Sequence, residues 1–127
     1  MADYYAGCSF ELPCTPEEAQ EIQGAFANGA SAHEEVFDDP EYDTLSAETE
    51  ITPAGIAIFG DEYPNFWAIA GLIQKLAPSA LPFGFVWSGW CSRPRLDSFT
   101  GGYVLITPDQ IEMTNLGDVL SEKLKLP

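Results

Sequence analysis

Apolar and polar residues alternate without a break at the start of the chain. Tyr4, Ala6, Cys8, Phe10 and Leu12 fall on one side, and Asp3, Tyr5, Gly7, Ser9 and Glu11 on the other. A period of two predicts a half-buried strand. Cys8 then reads as a small core hydrophobe rather than a reactive thiol. The period changes after Pro13. Thr15 suits an N-cap, Pro16 suits the first helical position, and Glu18 completes a capping box. Glu17, Glu18 and Glu21 lie near the positive end of the helix dipole. Ala19, Ile22 and Phe26 form an apolar stripe, and Asn28-Gly29 stops the helix. Residues 31–53 show no strong period and predict a long acidic connection, with a short edge strand near Glu34–Phe37.

The second half returns to clear patterns. Ala54–Phe59 reads as a short apolar strand ending at Gly60-Asp61. A helix is predicted from near Pro64, with Phe66, Ile69, Ala70, Ile73 and Leu76 on its buried face and Trp67 widening the arc. Pro78 ends it. Phe83, Phe85 and Trp87 alternate with Gly84, Val86 and Ser88, a third strand reaching Trp90. A loop leads to a fourth strand, Tyr103–Ile106. Thr107-Pro108-Asp109-Gln110 reads as another capping box and predicts a helical turn. Leu116, Val119, Leu120 and Leu124 predict a last helical segment, with Lys123 and Lys125 at its negative end.

Strands mixed with helices predict an α+β two-layer sandwich. Its sheet is expected to be four-stranded, to contain antiparallel pairs, and to carry two main helices on one face. A ferredoxin-like arrangement fits only if residues 31–53 supply an extra strand. The 127 residues are one domain's worth of chain, read as 1–127 with its acidic connection at about 31–53.

Charge narrows the partners. The chain carries 20 acidic side chains against 5 basic ones, a net charge of −15. Direct binding to nucleic acid or to an anionic membrane needs a basic surface, so neither is expected, whereas a basic partner is. No stretch reaches the length of a membrane span, and Met1-Ala2-Asp3-Tyr4 does not open a secretory signal. Three cysteines, Cys8, Cys14 and Cys91, do not make a disulfide framework. A cytoplasmic location is expected.

Few residues offer catalysis. The single histidine, His33, sits in the acidic connection and reads as a solvated side chain. There is no Cys-x-x-Cys and no His pair at helical spacing. Asp38–Asp43 has oxygen ligands but lacks the central glycine and terminal Glu of an EF-hand loop. Phosphate-binding glycine loops are absent. A cysteine phosphatase would need Arg six residues after Cys91, where the chain has Asp97. Carboxylate pairs of the glycosidase kind stay open as an alternative. No catalytic residue, metal or cofactor is assigned.

Two features stand out. Eight carboxylates fall within the seventeen residues Glu34–Glu50. In an extended chain that is one charge per about 7 Å, sparser than the about 1.7 Å of axis per charge in duplex DNA. The run would imitate a phosphate track only if Glu17, Glu18, Glu21, Asp61 or Glu62 stood beside it. Its candidate partner-binding residues are Glu34, Glu35, Asp38, Asp39, Glu41, Tyr42, Asp43, Glu48 and Glu50. Phe37, Tyr42 and Trp90 are candidate apolar anchors. The plain alternative is a solvated loop. The second feature is Arg93 and Arg95, the chain's two arginines, beside Asp97. They read as a structural clamp on acidic segments, or else as a grip on a partner's carboxylate or phosphate.

The stretch Cys91-Ser92-Arg93-Pro94-Arg95-Leu96-Asp97-Ser98-Phe99, followed by Gly101-Gly102, resembles a motif in small acidic proteins of bacterial phages, plasmids and their hosts. Tyr4-Tyr5 through Phe10-Glu11-Leu12-Pro13, and Phe83-Gly84-Phe85, are similar to that group too. The likeness spans most of the chain but not its acidic middle. It implies a mobile-element setting and brings no catalytic residues. In such a setting acidic proteins of this size often block host nucleases by occupying a DNA-binding surface. The expectation is therefore a non-enzymatic DNA-mimic inhibitor of the anti-CRISPR or anti-restriction kind, with a basic, nucleic-acid-binding protein as partner. The alternatives are an interaction module that uses an apolar surface and a small carboxylate-dependent enzyme. An exposed Trp or an open sheet edge also leaves a homodimer open.

Overall fold

A computed structural model describes residues 4–28, 45–91 and 99–125. The first alternating segment forms β1 (Tyr4–Pro13), and the capping box starts α1 (Pro16–Asn28). The box closes in both directions: Thr15 N donates to Glu18 Oε1 at 3.0 Å, and Glu18 N donates to Thr15 Oγ1 at 3.1 Å. Next come β2 (Glu48–Ile51) and β3 (Gly55–Gly60). Helix α2 (Phe66–Leu76) is capped by Asn65, whose side chain accepts from Ala68 N at 3.0 Å. It ends at Ala77 before a 3-10 turn (Pro78–Ala80). Strands β4 (Phe83–Cys91), β5 (Thr100–Ile106) and β6 (Ile111–Asn115) follow, then α3 (Leu116–Lys125).

The strands form one six-stranded sheet in the order β2-β3-β1-β4-β5-β6, with every neighbouring pair antiparallel. The α+β class holds, but the sheet has six strands rather than four. One addition is β2, which lies inside the stretch read as a connection and meets the condition set for a βαββαβ order. Its four residues are too short for their alternation to stand out from the acidic run. The expected edge strand near Glu34–Phe37 falls outside the described residues. The other addition is β6, where a helical turn was expected. Thr107 N donates to Gln110 O at 2.9 Å, and Thr107 Oγ1 accepts from Gln110 N at 3.1 Å. Those bonds close a hairpin between β5 and β6. A Thr that accepts from the third residue on serves a tight turn as well as a helix start.

Alternation decides what is buried. Leu12, Ile56, Ile58, Val104 and Ile106 of the sheet pack with Ala19 and Ile22 of α1 and Ile69, Leu72 and Ile73 of α2. Phe10 stacks on Phe85 with centroids 4.2 Å apart, and Phe66 of α2 lies 5.5 Å from Trp87. Phe26 is half-buried, as its place at the end of the α1 stripe suggests. Helix α2 is well buried, but Trp67, expected to widen its buried arc, is exposed, on the side turned away from the core. Residues of the opposite strand parity, among them Ser9, Glu11, Glu48, Glu50, Val86 and Glu112, are exposed.

Gly102 lets the last hairpin approach. A Cβ there would collide with the Thr114 carbonyl of β6 and sit 2.9 Å from Trp87 Nε1. Trp87 Nε1 is enclosed and has no hydrogen-bond partner among the described residues. Gly102 is thus fixed by packing of β6 and Trp87, which accounts for one glycine of the Gly101-Gly102 pair on structural grounds.

Glu18 ties two parts of the helical layer together. Besides closing the α1 cap, it accepts from Ser79 N at 3.2 Å and from Ser79 Oγ. Burial pushes its carboxyl up, but the hydrogen bonds from Ser79 and Thr15 outweigh this and hold it below the ordinary Glu value. A carboxylate with a lowered folded pKa contributes stability above its unfolded pKa, and that contribution is lost as pH falls through the folded value.

Two predictions follow from the packing. Leu72→Ala should cost about 2–5 kcal/mol, whereas Val86→Ala on the exposed side should change stability by less than about 0.5 kcal/mol. Chemical denaturation of both variants checks the assignment of sides, and equal losses would reverse it. Glu18→Ala should lower stability by about 1 kcal/mol at pH 7. Melting curves at falling pH should show that deficit shrinking below the ordinary Glu range, and a constant deficit would mean the carboxylate charge is not involved.

Candidate binding face

The two helices that fill the core lie against one side of the sheet. Among the described residues, the other side of strands β1, β2 and β3 is open. Strand register sets what stands there. Glu50 is opposite Ala57, which is opposite Glu11; Glu48 is opposite Phe59, which is opposite Ser9. Thr49 is paired with Ile58, which is fully buried, so Glu48 and Glu50 must point the other way. Neighbouring strands lie about 4.8 Å apart and alternate residues about 6.8 Å apart. Glu11, Glu48 and Glu50 are therefore about 7–12 Å from one another. On the other half of the sheet, Val86 of β4 is opposite Tyr103 of β5, and Leu105 is opposite Glu112. Val86 is 71% exposed and Tyr103 38%.

At one end of this face lies an open depression of about 600 Å3, lined by Cys8, Ser9, Glu48, Phe59, Asp61 and Glu62 among others. Two loops are drawn together to form it. Tyr63 N donates to Ala6 O at 3.1 Å, and Asn65 N donates to Leu45 O at 3.0 Å. Ser46 and Tyr63 both take the left-handed backbone conformation, at φ 55° and 57°. For a residue other than glycine that conformation is held against a steric cost. Asp61 and Glu62 line the depression together with Glu48, while residues 34–43 of the acidic run lie outside the described residues. Glu17 and Glu21 are exposed on α1, and Glu18 is engaged in its cap.

Among the described residues, no hydrogen-bond donor or cation is paired with Glu11, Glu48, Glu50, Glu112 or Asp61. An ion pair does form on α3, where Lys125 Nζ is 3.3 Å from Glu122. The face thus presents solvated carboxylates set among Phe59, Val86 and Tyr103. Chemically it can accept ammonium or guanidinium groups, with the Phe59 ring available to the same cation.

The described residues offer little for covalent chemistry. Burial pushes the Cys8 thiol up to about 11, so at neutral pH it is a thiol rather than a thiolate. Cys14 is raised as well, first by burial and then by the Glu18 charge. All three cysteines are free. Among the described residues no group of three or more His, Cys, Asp or Glu is placed to hold a metal ion, and no helix is long and apolar enough to cross a membrane.

Of the sequence-level site residues, Glu48 and Glu50 stand together on this face. Glu34, Glu35, Asp38, Asp39, Glu41, Tyr42 and Asp43 lie outside the described residues, as do Phe37, His33 and the clamp residues Arg93, Arg95 and Asp97. Trp90 stacks on Tyr5 at 5.8 Å, at the same end of the sheet as Asp61, with which it lines a neighbouring hollow beside Gly7. Sequence reasoning missed Glu11, Phe59, Val86 and Tyr103. Glu11 and Val86 were legible as outward positions of alternating strands, but only the register shows which of them share a row. Comparison with known protein families, with curated proteins and with solved structures finds no match.

Proposed function

We propose that this chain is a non-enzymatic acidic binding protein that occupies the basic surface of a nucleic-acid-binding protein. The observation that carries the reading is the open side of the sheet, where carboxylates from three strands and one loop, unpaired among the described residues, stand with exposed apolar groups. A surface built to bind nucleic acid would need the opposite charge. An acidic face with aromatic and aliphatic groups set into it suits a partner whose Lys and Arg side chains otherwise hold phosphates. The acidic stretch that contains Glu34, Glu35, Asp38, Asp39, Glu41, Tyr42 and Asp43 enters β2 directly and extends the same charge along the chain. This supports a DNA-mimic inhibitor of a host defence protein, of the anti-CRISPR or anti-restriction kind, the role expected from the sequence. The location that fits this role is the host cytoplasm.

A second reading, an interaction module working through an apolar surface, is favoured by the exposed leucines of α3, Leu116, Leu120 and Leu124.

Salt separates the two. The full chain, immobilised and exposed to host lysate, should capture a nucleic-acid-binding protein at low salt and release it as salt rises. The variant Glu48→Gln, Glu50→Gln, Asp61→Asn, Glu62→Gln should keep its melting behaviour and capture at least tenfold less. Amide substitution of Glu34, Glu35, Asp38, Asp39, Glu41 and Asp43 should weaken capture in the same direction. A partner held equally by wild type and both variants, at low and high salt, would assign the interaction to the apolar surface.

A further inference from the structure

Among the described residues the sheet has two outer edges, β2 and β6, and they differ in a way that bears on self-association. An unpaired edge offers a row of backbone donors and acceptors to another strand. Two copies that join edge to edge about a two-fold axis pair antiparallel and keep both sheet sides continuous. Residues of equal strand parity then stand opposite one another. On β2, Glu48 and Glu50 are the outward residues of a four-residue strand. With the axis at residue 48, 49 or 50, each such register sets one carboxylate against another, and like charges directly opposite are destabilising. The β2 edge is guarded by its own charge.

The β6 edge is not. Ile111 and Met113 are opposite Ile106 and Val104 on the helix side of the sheet, while Glu112 and Thr114 are opposite Leu105 and Tyr103 on the open side. A two-fold axis at Met113 places Glu112 of one copy against Thr114 of the other, Ile111 against Asn115, and Met113 against itself. No carboxylate meets a carboxylate. Met113 is 43% exposed despite lying on the apolar side of the sheet.

Helix α3 leaves β6 without an intervening loop and packs near β5 and β6. It has no buried residue. Leu116, Leu120 and Leu124 are spaced four apart, so they form one stripe, and each is more than half exposed. The same segment is close to neutral. Over Ile111–Lys125 three carboxylates, Glu112, Asp118 and Glu122, are offset by Lys123 and Lys125, in a chain of net charge −15. Lys123 stands at the margin of the stripe, one turn on from Leu120.

We propose that the protein forms a two-fold homodimer in which β6 pairs with β6 about Met113 and the leucine stripes of α3 cover one another. The sheet becomes continuous across the dimer, and the two acidic β2 edges are carried to its far ends. A dimer of this form presents two copies of the acidic face to a partner.

Light scattering on the full-length chain at about 100 µM, where even a micromolar interface is nearly saturated, reads the mass directly. The expected value is twice the 13.8 kDa of one chain. Leu120→Glu replaces an exposed side chain and should halve that mass with no change in circular dichroism. Thr114→Glu should also halve it, by placing a carboxylate opposite Glu112 of the second copy. Adding Glu112→Lys to Thr114→Glu should restore the dimer, which reads the register and not merely the surface. A single-chain mass for the unmodified protein overturns the proposal, and so does a dimer that survives either single variant. High salt should leave the dimer intact, so failure here is distinguishable from failure of the salt-sensitive binding to a basic partner.

Discussion

Strand alternation is the constraint on which the rest depends. One side of the sheet is committed to the core by Leu12, Ile56, Ile58, Val104 and Ile106, each fully buried under α1 and α2. A one-residue slip would turn that set to solvent and bring Glu11, Glu48 and Glu50 inward, where unpaired carboxylates are strongly disfavoured. Burial of the apolar parity therefore places the acidic parity. The acidic face is a consequence of the same pattern that folds the chain.

The charge has a structural consequence as well. With 20 acidic and 5 basic side chains, most carboxylates have no cation to meet. Glu18 finds hydrogen bonds from Thr15 and Ser79 and becomes a structural residue. Among the described residues, Glu11, Glu48 and Glu50 find no such donors. Self-repulsion of this kind lowers the stability of the compact state. The cost is offset when a basic partner replaces water around the face, and that gain is the driving force of the proposed function. The same repulsion decides which edge tolerates a second copy: β2 carries two outward carboxylates and β6 one.

Much of this was legible in the chain. The alternation of Tyr4–Leu12, the Thr15–Glu18 box and the apolar face of α2 each appear where the residues indicate, because local pattern and tertiary burial agree there. The misses have physical causes. Strand β2 is four residues long and held by Ile58 and Ile56 of its neighbour, a long-range pairing with no local signal. Strand β6 follows a turn whose Thr107–Gln110 bonds mimic a helix start. Trp67 belongs to the helical period of α2 yet faces outward, since period gives an angle around the axis but not the width of the buried arc. For the site, composition indicated the sign of the charge and Glu48 and Glu50 as members. Their grouping with Glu11, Asp61 and Glu62 comes from register and from the joined loops, neither of which a single sequence encodes locally.

The central claim is that the acidic face takes the place of nucleic acid on a basic partner. The most direct measurement is competition. Binding of the full-length chain to its captured partner is followed by fluorescence anisotropy while a duplex that the partner binds is titrated in. The account predicts that the apparent Kd rises in proportion to duplex concentration, with no ternary complex at saturation. A plateau in that rise, or a stable complex of all three components, would place the contact away from the partner's nucleic-acid surface and contradict the account.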